Sequence, residues 1–129
     1  PQGSKRHVGR GIMVESSKHV AEWRSWVRLK ASQAMKGKEP FTGSVYVDIE
    51  FFFDRPKTHF NSKGLKPDAP KYKSSNPDID KLLRAVLDAM TGVVFVDDSQ
   101  VVTTTCGKKY GKYAGTYVSV LELVREGDR

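Results

Sequence analysis

Cysteine is almost absent from this sequence, and long apolar stretches and motifs built on histidine or a nucleophilic serine are absent altogether. The single cysteine among the 129 residues, Cys106, excludes an internal disulfide and a multi-cysteine zinc site, and we expect it to be a small packed thiol. The three histidines are scattered without metal-ligand spacing, and neither a nucleophile elbow nor a phosphate loop occurs. No apolar run approaches the length of a membrane-spanning helix, and no signal-peptide pattern opens the chain. We therefore expect a cytoplasmic protein whose chemistry relies on neither zinc nor histidine.

The charged residues are unevenly distributed along the chain. Lysine and arginine number 22 against 15 acidic residues, which gives a formal net charge of +7 and a pI near 9.6. This balance favours a polyanionic partner. Between residues 55 and 73 the only acid is Asp68, whereas four aspartates form two tight pairs elsewhere. Concentrated carboxylates in basic surroundings are more typical of a nuclease than of a protein that only binds nucleic acid.

The residue pattern predicts a single α+β domain spanning residues 1–129, without internal repeats. We expect residues 1–15 to form a basic arm or loop. Because the chain begins at Pro1 rather than Met, we also expect some of the native N-terminus to be absent. Prolines and lysines fill residues 54–77, which we expect to be a mobile loop that contacts phosphates.

Two elements are predicted before that loop. Ser16 and Ser17 offer an N-cap to a helix that runs to about Met35. The apolar face of this helix consists of Val20, Trp23, Val27, Ala31 and Ala34. Residues 45–53 then alternate strictly between apolar and more polar side chains, which predicts a strand with one face in the core.

A second helix and two strands are predicted after the loop. The helix follows Pro77 and ends at Gly92. Its buried stripe is expected to contain Ile79, Leu82, Leu83, Val86 and Met90. Residues 101–106 and 117–124 are predicted to form two strands of a hairpin, joined by the glycine-rich basic turn 107–115. The expected sheet is mixed or antiparallel.

Four aspartates are the candidates for chemistry, although each has a structural explanation of its own. Asp78 stands where the second helix begins and suits an N-cap, and Asp80 suits the first helical turn, where the helix dipole favours a negative charge. Side chains two residues apart within a regular helix diverge, so Asp78 must lie at or before the N-cap if both hold one metal ion. Pro77 favours a helix boundary at that point. Asp97 and Asp98 suit a turn, and at most one of two adjacent extended residues faces the other pair.

Clustered carboxylates of this kind are typical of a magnesium site that cleaves phosphodiesters. Three of them repel one another unless a cation is bound, and Mg²⁺ prefers oxygen ligands. Bound Mg²⁺ also holds a phosphate oxygen and lowers the pKa of the attacking water. Arg84 lies on the same helical face as Asp80 and is a candidate to stabilise the transition state, or alternatively a partner in a surface ion pair with Asp80 or Asp88.

The same residues resemble the signature of the RusA family of Holliday-junction resolvases. That signature is an Asp-x-Asp on an amphipathic helix, found here at residues 78–80, followed by an Asp-Asp-x-Gln-Val turn, found here at residues 97–101. Weaker similarity covers the basic arm, the tryptophan-bearing helix and the strand that ends near Asp54, so that the resemblance extends over most of the chain. The family's opening strand is expected to be missing here.

The resemblance implies a homodimeric α+β enzyme, often phage-encoded, that makes paired nicks across four-way DNA junctions with Mg²⁺ or Mn²⁺. The essential family carboxylates fall on Asp78, Asp80 and Asp98, and Asp97 is the less critical member of its pair. Arg84 occupies the place of a family lysine, and since arginine does not give up a proton, only electrostatic stabilisation survives that change. Lys81 is a nearby alternative cation.

The residues expected to contact DNA are Arg6, Arg10, Lys63, Lys66, Lys71, Lys73 and Lys81. Two other functions remain open. A non-catalytic protein that binds junctions or single strands would use the aspartates as caps and turns, with stacking on Tyr72, Tyr110 and Tyr113. A metal-dependent ribonuclease would differ in preferring RNA.

Overall fold

The computed structural model describes residues 5–7, 12–14 and 20–123, with side chains from Trp23 onward. The helices are α1 (Val20–Ala34) and α2 (Ile79–Met90), and the strands are β1 (Lys5–His7), β2 (Ile12–Val14), β3 (Val45–Asp54), β4 (Phe60–Asn61), β5 (Gly64–Leu65), β6 (Val101–Gly111) and β7 (Gly115–Leu123). Short 3₁₀ turns occur at Lys57–His59 and Asp98–Gln100. The predicted α+β class with a mixed sheet is confirmed. In the described part of the chain no helix is long and apolar enough to cross a membrane.

Strand β3 lies inside the main sheet, whose order is β1–β7–β3–β6, with β2 also paired to β7. Its alternating sequence is matched by alternating burial, which confirms the predicted strand. The buried side chains are Val45, Val47, Ile49 and Phe51. Because β3 runs parallel to β6 and antiparallel to β7, the sheet is mixed.

Both helices contribute to one hydrophobic core with the buried side of this sheet. The buried residues contributed by α1 and the position just after it are Trp23, Val27, Ala31 and Met35. Those contributed by α2 are Ala85, Val86, Ala89 and Met90. The stripe predicted for α2 is wrong at Ile79, which is 36% exposed. Leu82 and Leu83 are half-buried, so that burial increases along the helix and its first turn lies beyond the core. The predicted cap of α1 at residues 16–17 lies outside the described residues.

The predicted hairpin is wrong. β6 and β7 are joined by residues 112–114, but β3 lies between them and pairs with both. The connection therefore crosses about 10 Å, two strand spacings, instead of folding back on its own strand. The central position suits β3 because its apolar face is continuous.

The two predicted irregular regions also contain regular structure. Within the basic arm, β1 and β2 each pair with β7, which corrects the expectation of an arm or loop at those residues. Within residues 54–77, which we call the basic loop, β4 and β5 form a small hairpin. The returning part of the loop runs beside the outer edge of β6: Lys73 N donates to Lys108 O at 3.1 Å, and Tyr110 N donates to Lys71 O at 2.9 Å. The loop is thus fastened to the sheet near its end.

Candidate active site

The beginning of α2 presents two carboxylates to solvent. Asp78 is the N-cap residue with extended backbone (φ −69°, ψ 140°), and its side chain makes no capping hydrogen bond. Asp80 lies in the first helical turn, and both residues are exposed. The condition set by the sequence is therefore met, because Asp78 lies outside the regular helix. Lys81 Nζ lies 3.9 Å from Asp78 Oδ2, in an exposed ion pair that contributes little to stability.

A lysine that the sequence reasoning missed holds the segment in front of Asp78. Lys108 Nζ donates to Ser75 O and to Pro77 O, at 2.7 Å each. Lys108 pairs with the buried residue Phe51 in the sheet register, so that its side chain points to the helix side of β6. A lysine on this side of the sheet needs polar partners, and the two carbonyl oxygens supply them.

We expect Lys108→Met to weaken divalent-metal binding, because it keeps the aliphatic stem but removes both bonds that fix the chain before Asp78. Removal of a group that positions metal ligands without contacting the metal typically lowers metal affinity or activity by about 10- to 100-fold. Mn²⁺ titration followed by calorimetry, together with nicking assays across metal concentrations, measures the change. Lys109→Met is the matched control, since the neighbouring Lys109 points to the other face and pairs with Glu50 at 3.2 Å. Equal decreases in both variants would contradict the role of Lys108.

The second aspartate pair lies in a tightly bonded turn. Asp97 accepts a hydrogen bond from Ser99 N at 3.0 Å, and hydrogen bonds from Ser99 lower the pKa of the Asp97 carboxyl. Gln100 Oε1 accepts from Val96 N and Asp97 N, while its Nε2 donates to Phe41 O and Gly43 O, all at 2.8 to 2.9 Å. Asp97 is thus engaged as the cap of the turn. Its pair member Asp98 is exposed and makes no side-chain hydrogen bond within the described residues.

Within a single chain, the pair Asp78 and Asp80 and the pair Asp97 and Asp98 lie near opposite ends of α2. Asp78 lies at the N-terminal end, beside Lys108, whereas the turn bearing Asp98 lies at the other end, where Thr91 and Phe41 each form a bridge to Phe95. The 12 residues of α2 extend over about 18 Å. The seven residue steps from Val101, where β6 begins, to Lys108 extend over about 23 Å.

The predicted trio of carboxylates is therefore not assembled within one chain. Among the residues that the structure describes, no group of three or more His, Cys, Asp or Glu side chains is placed to hold a metal ion. Asp78 and Asp80 share one end of the molecule, and Asp98 stands at the other.

The predicted cations occupy different environments. Arg84 is exposed in the second turn of α2, and within the described part of the chain it makes no ion pair. Asp88, one of its two predicted partners, instead faces Arg24, with the charged atoms 3.9 Å apart. Lys63 is exposed, whereas Lys66 is half-buried. Lys71 and Lys73 lie over aromatic rings, and Lys73 also donates to Ser75 Oγ at 2.9 Å. The side chain of Arg6, in β1, and all of Arg10 lie outside the described part of the chain.

Cys106 agrees with the expectation of a packed thiol. It is half-buried in β6, and burial, with a smaller contribution from the charge of Asp48, raises the pKa of its thiol. A raised pKa disfavours the reactive thiolate at neutral pH.

A basic α+β domain with exposed carboxylates at a helix start and in a turn has the groups expected of a metal-dependent nuclease. The family model for endodeoxyribonuclease RusA matches residues 1–121. The chain therefore belongs to the RusA endodeoxyribonuclease family, whose members act on branched DNA and generally depend on a divalent metal. It is also similar to the uncharacterized protein YqaN of Bacillus subtilis (strain 168), with 32% identity over 126 residues that cover 95% of this chain and 87% of YqaN.

Proposed function

We propose that this chain is a Mg²⁺-dependent endodeoxyribonuclease that resolves four-way junctions by paired hydrolytic nicks in the cytoplasm. The observation that carries the proposal is the start of α2, where the carboxylates of Asp78 and Asp80 are exposed and unused by helix capping. Family membership supports cleavage of branched DNA.

The donor groups at this end suit a hard divalent cation. Asp78 and Asp80 offer carboxylate oxygens in a solvated setting, where Mg²⁺ retains several waters, and Mn²⁺ is an acceptable substitute. When bound, the cation polarises a phosphate oxygen and lowers the pKa of a water molecule. Arg84, with its exposed guanidinium one turn after Asp80, binds phosphate oxygens as a planar fork and stabilises the charge that develops during cleavage.

We further propose a homodimer in which Asp98 reaches the Asp78–Asp80 end from a second copy of the chain. Separation of the two aspartate pairs by about 20 Å in one chain supports this arrangement. A two-fold dimer joins the opposite ends of two copies and creates two identical sites. Two identical sites suit an enzyme that makes two symmetric cuts.

Incubation of the wild-type chain with synthetic nucleic acids tests the function. Mg²⁺ or Mn²⁺ is expected to support nicking of a four-way DNA junction, and a linear DNA duplex of the same sequence is expected to remain intact. Absence of nicking with both metals would refute the enzyme. Preference for an RNA junction would favour the ribonuclease alternative.

A non-catalytic DNA-binding protein is the second candidate. The exposed rings of Tyr72 and Tyr113, at 59% and 74% accessibility, favour it because bases stack on such rings. This candidate predicts junction binding without nicking in the same experiment.

The basic loop is expected to bind the phosphates of DNA through its lysine side chains. Simultaneous replacement of Lys63, Lys66 and Lys71 by Ala should weaken binding to every DNA, because phosphates carry no sequence information. The slope of log K against log salt should become shallower by roughly 0.9 for each phosphate that the variant no longer neutralises. Anisotropy titrations between 50 and 200 mM salt, a range in which such binding is sensitive, measure both quantities.

A matched triple variant controls for the change in net charge. Lys30, Lys36 and Lys38 lie in and just after α1, outside the basic loop. Their replacement by Ala removes the same charge and is expected to change the salt slope less than the basic-loop variant does. Equal slopes for the two triple variants would mean that the basic loop has no particular role in binding DNA.

A further inference from the structure

An open groove lies between the β4–β5 hairpin and the end of β6. Its lining residues are Asp54, Arg55, Phe60, Leu65, Tyr110, Gly111 and Lys112. Phe60 and Leu65 are cross-strand partners in the hairpin, so that their side chains share one face. They are 46% and 51% exposed, which is unusual for two large apolar side chains side by side in a basic segment.

The inner side of the groove is held in place by interactions within the chain. The ring of Tyr110 meets the ring of His59 edge-on, with centroids 4.8 Å apart. The Arg55 guanidinium lies 5.3 Å from the Tyr110 ring and donates to Pro70 O at 2.7 Å and to His59 Nδ1 at 3.3 Å. A ligand that enters the groove thus meets a surface that needs little reordering, which favours binding.

The chemistry of the groove suits a nucleotide. Aromatic and aliphatic side chains offer flat apolar surfaces, while Arg55 and Lys112 supply positive charge, with Asp54 as the one carboxylate of the lining. Further positive charge surrounds it, since the same loop carries Lys57, Lys63 and Lys66. This charge favours a ligand that combines a planar ring with phosphate over an uncharged apolar peptide. Paired bases are stacked within a duplex, so only an unpaired base can enter.

The groove lies next to the proposed cleavage site. Tyr110 and Lys108 point to the same side of β6 and are two residues apart, which is about 7 Å along a strand. Lys108 is bonded to Pro77 O, the carbonyl that immediately precedes Asp78. A DNA strand that passes Asp78 and Asp80 can therefore place a neighbouring nucleotide in the groove.

We propose that this groove binds an unpaired nucleobase from the branch point, adjacent to the strand that is cut. The proposal rests on the proposed function, since it requires that the protein binds branched DNA. Stacking on the exposed ring of Phe60, with Leu65 beside it, then provides selectivity for open DNA structures, which binding to phosphates alone does not supply.

Binding measurements on the double variant Phe60→Ala, Leu65→Ala test the groove. With Ca²⁺ in place of Mg²⁺ to prevent cleavage, affinity for a four-way junction and for a single-stranded oligonucleotide is expected to fall about 10- to 100-fold. Affinity for a linear duplex should change less than about twofold, and the salt slope should stay the same because every lysine and arginine near the phosphates is retained. Phe60→Tyr keeps an aromatic ring and is expected to retain wild-type selectivity.

The control variant Trp26→Ala, Leu29→Ala removes an aromatic ring and a leucine of similar exposure from α1. It is expected to bind all three DNAs like the wild type. Unchanged junction affinity in the groove variant, or an equal decrease on duplex and junction, would overturn the proposal. Failure of the wild type to bind any DNA would instead refute the proposed function. Both groove residues lie outside the core, so an unchanged unfolding midpoint is expected to accompany the binding defect.

Discussion

Asp80→Asn is expected to reduce Mg²⁺-dependent nicking of a four-way junction by about three orders of magnitude or more, which corresponds to roughly 4 kcal/mol of transition-state stabilisation. The variant keeps the shape of the side chain but removes the negative charge that attracts the cation. Junction binding in buffer free of divalent metal should be retained or become tighter, because one repulsive charge near the phosphates has been removed. Single-turnover nicking and anisotropy on the same labelled junction separate the two effects.

Asp88→Asn is the matched control on the same helix. Asp88 lies two turns after Asp80 and faces Arg24 of α1 at 3.9 Å, in an exposed pair of little energetic weight. The chemical change is identical, so a nicking rate within about threefold of wild type is expected from the small cost of surface substitutions. Nicking by the Asp80→Asn variant at the wild-type rate would show that the Asp80 carboxylate has no role in cleavage.

The elements with strong periodicity could be predicted from sequence, and the way they are arranged could not. The alternation of residues 45–53 and the helical spacing after Pro77 each depend on neighbouring residues, so that β3 and α2 appear in the pattern. A glycine-rich connection between two strands is the ordinary signal of a hairpin. Whether a third strand, here β3, lies between them depends on which strands pair with the two edges of β3. That pairing is a property of the whole sheet and not of the connecting residues.

The same division applies to the candidate site. The divergence of side chains two residues apart set the condition that Asp78 lies outside the helix if it shares a metal ion with Asp80, and the structure meets that condition. Extended geometry allowed at most one of Asp97 and Asp98 to face that pair, and the family resemblance favoured Asp98. The hydrogen bond from Lys108 to Pro77, 31 residues away in sequence, has no local signature. The distance between the aspartate pairs depends on the direction of α2 relative to β6, and therefore on the complete topology.

A mixture of Asp80→Asn and Asp98→Asn chains is expected to regain nicking that neither variant shows alone. In the proposed dimer, one site takes Asp78 and Asp80 from one copy and Asp98 from the other. A mixed dimer therefore collects both substitutions in one of its sites and leaves the second site fully wild-type. Random pairing makes about half of the dimers mixed, so that about a quarter of all sites should be active. The two chains are denatured together, refolded and assayed by single-turnover nicking.

Asp78→Asn mixed with Asp80→Asn is the control for this experiment. Both substitutions affect the same end of α2, so every site of every dimer carries one of them and no activity should return. Mixed dimers of the first pair should nick one strand without the symmetric second cut, because only one site is active. Absence of recovered nicking in both mixtures would contradict a site shared between copies. All three carboxylates would then have to act within one chain. That arrangement requires α2 and the Asp98 turn to approach each other when DNA binds.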